Sequence, residues 1–176
     1  MLYFDTETTG LIKNAALHLE KQPHIIEIGM VRVPEVKNRA TFFNVILKPP
    51  IPLPEIITKI TGLTDADLED CETFAEILPE LEEFVKGETD MVAHNMPFDY
   101  EMLMFELRRC GAELSFPMPW NRIDTVQLAK RFYGGRFMKL QNLYEDLVGP
   151  YEQKHRAIDD CLMLQKVHEQ LLIKGQ

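Results

Sequence analysis

Cysteine is scarce in this sequence and never closely paired: Cys71, Cys110 and Cys161 are odd in number, widely spaced and form no C-x-x-C. That pattern argues against a disulfide framework or a structural zinc site and fits a reducing compartment, with the three thiols as small packing residues. Long apolar runs are missing too. No stretch approaches the length of a membrane span, and the N-terminus enters a strand-like segment without the basic and apolar regions of a signal peptide. A soluble, cytoplasmic protein without membrane contact is expected. Positive charge is in short supply, 19 Lys and Arg against 28 Asp and Glu, for a formal charge of -9. Such a balance argues against nonspecific adhesion to polyanions, although divalent ions can reverse the local sign of an acidic site. Repeats and low-complexity tracts are absent. What remains, 176 residues of which 45% are hydrophobic and 27% charged, is the composition of one compact domain spanning 1–176.

The chain reads as alternating elements. β-Branched and apolar enrichment places strands at Leu2 to Glu7, Ile25 to Val33, Thr41 to Leu47 and Met91 to Ala93, the first three as a meander, with a short strand at Arg122 to Asp124. Asn14 to Gln22 reads as an extended connection, and Pro49 to Pro54 as a stiff stretch that cannot sit inside a sheet. Helical spacing marks Glu55 to Ile60, Thr73 to Val85, Pro97 to Cys110, Thr125 to Phe132, Leu140 to Leu147 and Arg156 to Leu172. This order predicts an α/β domain on a mixed sheet.

Acids stand at three of the element ends. Asp5 and Glu7 are two apart on the first strand and therefore share one face. Their repulsion would raise at least one pKa unless a cation lay between them, which points to a metal site of hard oxygen ligands. Asp67/Glu69 and Asp70/Glu72 have the same spacing, but they lie in an acid-dense run, Asp65 to Glu72, that reads as a solvated helix or loop. Asp99 falls in the first turn of the helix opened by Pro97, on a stripe with Met102, Leu103, Leu107 and Cys110. Taken alone it could equally be a dipole-stabilising aspartate. His94 and Asn95 alone read as strand-end or capping residues. Near the last helix, Asp160 shares a stripe with Leu164, Val167 and Leu171, whereas Asp159 shares one with Met163, Lys166 and Gln170, so Asp160 points inward. His155 lies five residues earlier, about 140° round an ideal helix, and reaches the same spot only from the preceding loop. A loop histidine able to take a proton near neutral pH suits a general base; alone it is equally a surface or capping residue.

In order along the chain, Phe4-Asp5-Thr6-Glu7-Thr8-Thr9-Gly10-Leu11, His94-Asn95-x-x-Phe98-Asp99 and His155-x-x-x-x-Asp160 closely resemble the three motifs of the DEDDh (DnaQ-like) 3′-5′ exonucleases. Pro54 to Thr64 and Asp124-Thr125-x-x-Leu128-Ala129 add to the resemblance, which covers residues 2 to 172. It implies a ribonuclease H-like fold, a mixed sheet of about five strands flanked by helices. It further implies that Asp5, Glu7, Asp99 and Asp160 hold two Mg²⁺ or Mn²⁺ ions and that His155 is the general base. By the same resemblance, Thr8, Thr9, Gly10 and Leu11 contact the terminal nucleotide, with Asn95 and Phe98 as lesser candidates and Phe98 as readily a core residue.

The implied activity is release of nucleoside 5′-monophosphates from the 3′ end of DNA, preferably single-stranded. The Asp5 to Gly10 motif looks more like the proofreading and repair branch, that of polymerase proofreading subunits and exonuclease X, than the oligoribonuclease branch. RNA trimming by the same site is the alternative, and a non-catalytic nucleic-acid-binding module of the same fold is the alternative of another class. Lys130, Arg131, Arg136 and Lys139 around Phe132, Tyr133 and Phe137 could track a single strand or be a solvated helix end and loop. A polymerase or replisome partner is conceivable, but Lys174-Gly175-Gln176 offers no tail motif for one.

Overall fold

Leu2 and Phe4 point to one side of the first strand and Tyr3 to the other, and all three are buried. A strand apolar on both faces belongs in the middle of a sheet with cover on each side. In the computed structural model, which describes residues 1–13, 18–34, 39–151 and 154–175, that is where β1 (Leu2–Thr8) lies. β2 (Ile25–Arg32) pairs antiparallel with β1, and β3 (Thr41–Ile46) antiparallel with β2, completing the expected meander. On the other side, β4 (Asp90–Ala93) runs parallel to β1 and β5 (Asn121–Asp124) parallel to β4. The order is β3-β2-β1-β4-β5.

The helices are α1 (Glu55–Thr61), α2 (Asp65–Leu68), α3 (Phe74–Val85), α4 (Met96–Arg109), α5 (Thr125–Lys130), α6 (Leu140–Leu147) and α7 (Ala157–Lys174). One face of the sheet buries Phe74, Ile77 and Leu81 of α3 with Met102, Leu103 and Leu107 of α4. The other buries Ala129 of α5, Leu143 of α6 and Cys161, Leu164 and Val167 of α7. Each large apolar side chain so covered contributes about 1.5–3 kcal/mol of transfer free energy.

Two expectations need correction. The connection after the first strand is not extended throughout: Leu19–Lys21 forms a 3₁₀ turn, while residues 14–17 of that segment lie outside the described residues. Arg109 holds this turn, donating to the carbonyls of Leu19, Gln22 and Pro23. Second, Met163, assigned to the outward stripe of Asp159, is buried. The last helix packs against α6 as well as the sheet, so its apolar face is wider than one stripe. It also crosses β2 closely. A Cβ on Gly29 would lie 2.4 Å from the Ala157 carbonyl carbon, so glycine sets how near the start of α7 comes to the sheet.

Candidate active site

Strand β4 ends at Ala93 and pairs with β1 only at Leu2↔Met91 and Tyr3↔Val92. The far end of β1 therefore overhangs, and the first turn of α4 fills the gap. The Thr6 N–H, past the end of that pairing, donates to Asp99 Oδ1 at 3.1 Å, and the Thr6 hydroxyl donates to the same oxygen at 2.8 Å. Asp99 is 3% exposed. Asp5 and Glu7 leave β1 on the opposite face, toward α7. There Asp160, 4% exposed, occupies the first turn of the helix, while Asp159 turns aside, 3.9 Å from Lys154 Nζ. Choosing Asp160 by its stripe thus agrees with the fold.

His155 sits on the loop before α7, as its angular offset requires, with a left-handed backbone at φ 50°. For a residue with a Cβ this conformation costs roughly 1–3 kcal/mol and persists only where the surroundings enforce it. Ligand atoms of Glu7, His155 and Asp160 all lie within 4.8 Å of one another. Around them a cleft of about 280 Å³ is lined by Asp5, His94, Asn95, Phe137, Lys139, Leu140, His155 and Asp160. A larger and mostly apolar cavity of about 360 Å³, between His24, Lys48, Phe74 and Cys110, has one carboxylate in its lining, Glu106, already engaged by His24 and Arg109.

The carboxylates repel one another. Burial, then the charges of Asp99, Asp160 and Glu7, push Asp5 well above the usual carboxylate range. Glu7 rises to about 8 through burial and the charges of Asp160, Glu27 and Asp99, with Arg156 pulling the other way. Asp99 rises to about 7, chiefly by burial, against the two bonds from Thr6. Acids held together at such a cost fit a divalent cation: hard oxygen donors converge from three elements and lose their repulsion when one binds.

The turn after Glu7 is held from within. The Thr8 hydroxyl donates to the Gly10 carbonyl at 2.9 Å, and Thr9 exchanges two bonds with the His24 backbone through its N–H and its hydroxyl oxygen. Both threonine side chains thus shape the turn, and Leu11 faces outward. Leu11 is 80% exposed, and nothing lies within 4 Å of a Cβ built on Gly10. Phe98 is half-buried against the core under α4. Asn95 is exposed in a left-handed conformation, its N–H held by Asp124 Oδ1 at 3.0 Å.

Several contributors were not evident from the sequence. His94 is more than a strand end: Nδ1 lies 2.9 Å from Thr125 Oγ1 and Nε2 2.9 Å from the Met138 carbonyl, which ties the loop carrying Phe137 and Lys139 to the cleft. Phe137 is 58% exposed and packs beside the His94 ring. Phe132 and Tyr133, grouped with it on sequence grounds, instead pack against the core beneath α7. Glu27 of β2, directly opposite Glu7 in register, is wholly buried and paired with Arg156. A single acid inside Ile25-Ile26-Glu27-Ile28-Gly29-Met30 was the available signal.

The profile of the exonuclease family (RNase_T) matches residues 2–168. The DNA polymerase III subunit epsilon of Treponema pallidum is 34% identical over 161 residues, 90% of this chain and 69% of that protein. A PolC-type DNA polymerase III of Caldanaerobacter subterraneus is 31% identical over 174 residues, 98% of this chain but 12% of that much longer protein. Among solved structures, exonuclease X in complex with 5′-overhanging duplex DNA superposes with a TM-score of 0.69 at 24% identity, covering 99% of this chain and 93% of that one. The nuclease domain of 3′hExo, a DEDDh family member bound to rAMP, superposes at 0.76 with 19% identity, covering 99% and 92%. At these identities the two structures establish the fold, that of ribonuclease H.

Proposed function

Because this chain belongs to the exonuclease family, as a DEDDh, DnaQ-like member, we propose that residues 1–176 form one catalytic unit that removes nucleotides from the 3′ end of DNA, preferably single-stranded, in proofreading or repair. The observation that carries this reading is a cleft lined by Asp5, His155 and Asp160, with Glu7 within ligand reach of His155 and Asp160 and with Asp99 near enough for its charge to act on Asp5. DNA is favoured over RNA by the polymerase III relatives, which also make a polymerase a reasonable partner.

The four carboxylates would hold two Mg²⁺ or Mn²⁺ ions. When bound, these supply a lowered pKa for the attacking water and charge stabilisation at the leaving oxygen. His155 accepts the proton of that water at a ring nitrogen as the water oxygen bonds to phosphorus. The bond from phosphorus to the 3′ oxygen of the preceding nucleotide breaks, that oxygen takes up a proton, and a nucleoside 5′-monophosphate leaves. Leu11 packs against the terminal base, the Gly10 backbone admits the sugar and phosphate, and Asn95 lines the far side. Phe137 offers an aromatic face and Lys139 a positive charge to the strand that enters, contacts indifferent to base identity.

The test uses 5′-labelled and 3′-labelled single strands with Mn²⁺. Mononucleotides appearing at once from the 3′ label, and a ladder of shortening 5′-labelled strands, are expected. Absence of mononucleotide release with either metal would overturn the reading, and a clear preference for RNA in a matched competition would move the substrate to RNA.

A further inference from the structure

Beside the acids proposed as ligands lies an ion pair, Glu27 with Arg156, that joins β2 to the residue following His155. Glu27 is 0% exposed on β2, a strand that carries none of the four acids. Both its oxygens are taken by Arg156, Nε to Oε2 at 2.9 Å and Nη2 to Oε1 at 3.1 Å, a two-pronged geometry only arginine provides. Arg156 follows His155 directly and caps α7, and its carbonyl accepts the Asp160 N–H at 3.0 Å. On its other side, Ala157 rests on Gly29. The residue between the histidine and the helix is therefore fixed by its side chain to β2 and by its backbone to the segment carrying Asp160.

We propose that the Glu27–Arg156 pair is a positioning clamp: it holds the His155 loop in its left-handed conformation over Glu7 and Asp160, and it commits the guanidinium to β2 and away from Glu7. This rests on the reading of His155 as the base. The second half of the clamp follows from register. Glu27 and Glu7 are cross-strand neighbours, so a guanidinium released from Glu27 has Glu7 within reach and would compete there with a cation. Conversely, Glu27 without Arg156 would be a further carboxylate beside an already repelling set.

The experiment compares Glu27→Gln, Arg156→Lys and the charge-balanced double variant Glu27→Gln/Arg156→Gln, each checked for folding by circular dichroism, with and without His155→Ala. A misplaced base should lower kcat by roughly 10- to 100-fold with KM little changed. Because the pair acts on the base through His155, adding any of these changes to His155→Ala should, at saturating Mn²⁺, cost less than about threefold more. Mn²⁺ binding should weaken in Glu27→Gln and be restored in the double variant. Independently of activity, the His155 imidazole resonances of the metal-free protein should shift or broaden in each clamp variant. Wild-type kcat in folded variants would overturn the proposal, as would losses that multiply fully with that of His155→Ala, since those mark a merely structural role. If the unmodified chain releases no nucleotides, the proposed function fails, and the imidazole resonances alone decide the clamp: moved, it stands; unmoved, it falls.

Discussion

Asp5/Glu7 and Asp67/Glu69 have the same spacing and end in opposite physical states. On β1 a strand aims both acids to one face, where burial and further carboxylates push them upward in pKa. On α2, Asp67 lies in open solvent as part of a helix cap, accepting from the Thr64 N–H at 2.8 Å and from its hydroxyl at 2.6 Å, and those bonds lower its pKa. Its neighbour Asp65 accepts the Leu53 N–H at 2.8 Å. One pair stores repulsion that a cation can relieve, whereas in the other Asp67 relieves its own helix end. Spacing says nothing about function until the backbone says which way the side chains point.

The largest break in this comparison should come from Asp5→Ala or Asp160→Ala, which should abolish metal-dependent release of nucleotides while leaving metal-free thermal stability unchanged or raised. Asp67→Ala should leave activity intact. Nuclease assays and melting curves side by side would check both halves. Next in size, His155→Ala should reduce turnover by about 10² to 10⁴ fold with Mn²⁺ affinity largely kept. A collapse of Mn²⁺ binding in a titration would make His155 a ligand instead.

A pH series sharpens the contrast further. Glu7 rises from 4.5 to about 8 and Asp99 from 3.8 to about 7 on folding, so the folded state holds these protons more tightly. Their contribution to stability is complete below their ordinary values and lost as pH climbs through about 7 to 8. Metal-free protein should therefore melt at lower temperature at pH 8.5 than at pH 5.5, and added Mg²⁺ should reverse the trend. Asp67 has the opposite sign: its contribution exists above its ordinary value and fades as pH falls below it. The smallest effect belongs to the cap itself, where Thr64→Ala should cost about 1 kcal/mol in a denaturant melt and nothing in turnover.

Much of this was legible in the chain. Among the described residues, patterning alone placed each strand and α-helix end to within two residues, apart from the short α2, which the sequence left as helix or loop, and it missed the 3₁₀ turn at Leu19–Lys21. It also separated Asp160 from Asp159, because that choice depends only on local helical angle. Contacts between distant segments were not legible. Glu27 and Arg156 are 129 residues apart, and neither has a pattern that names the other. His94 read as a strand end because its two partners, Thr125 and Met138, lie on other elements. Met163 was misplaced for a similar reason, since a single helix cannot announce that a second helix will cover its flank.

The seat of α7 on Gly29 has a consequence for biosynthesis. Asp5 and Glu7 precede His155 and Asp160 in chain order, so during synthesis they emerge first, and the later residues reach them only once α7 has settled on β2. Until then a growing chain carries Asp5 and Glu7 without the partners that α7 and the loop before it supply. The candidate site is therefore completed by the docking of α7 and not by the folding of the strands alone.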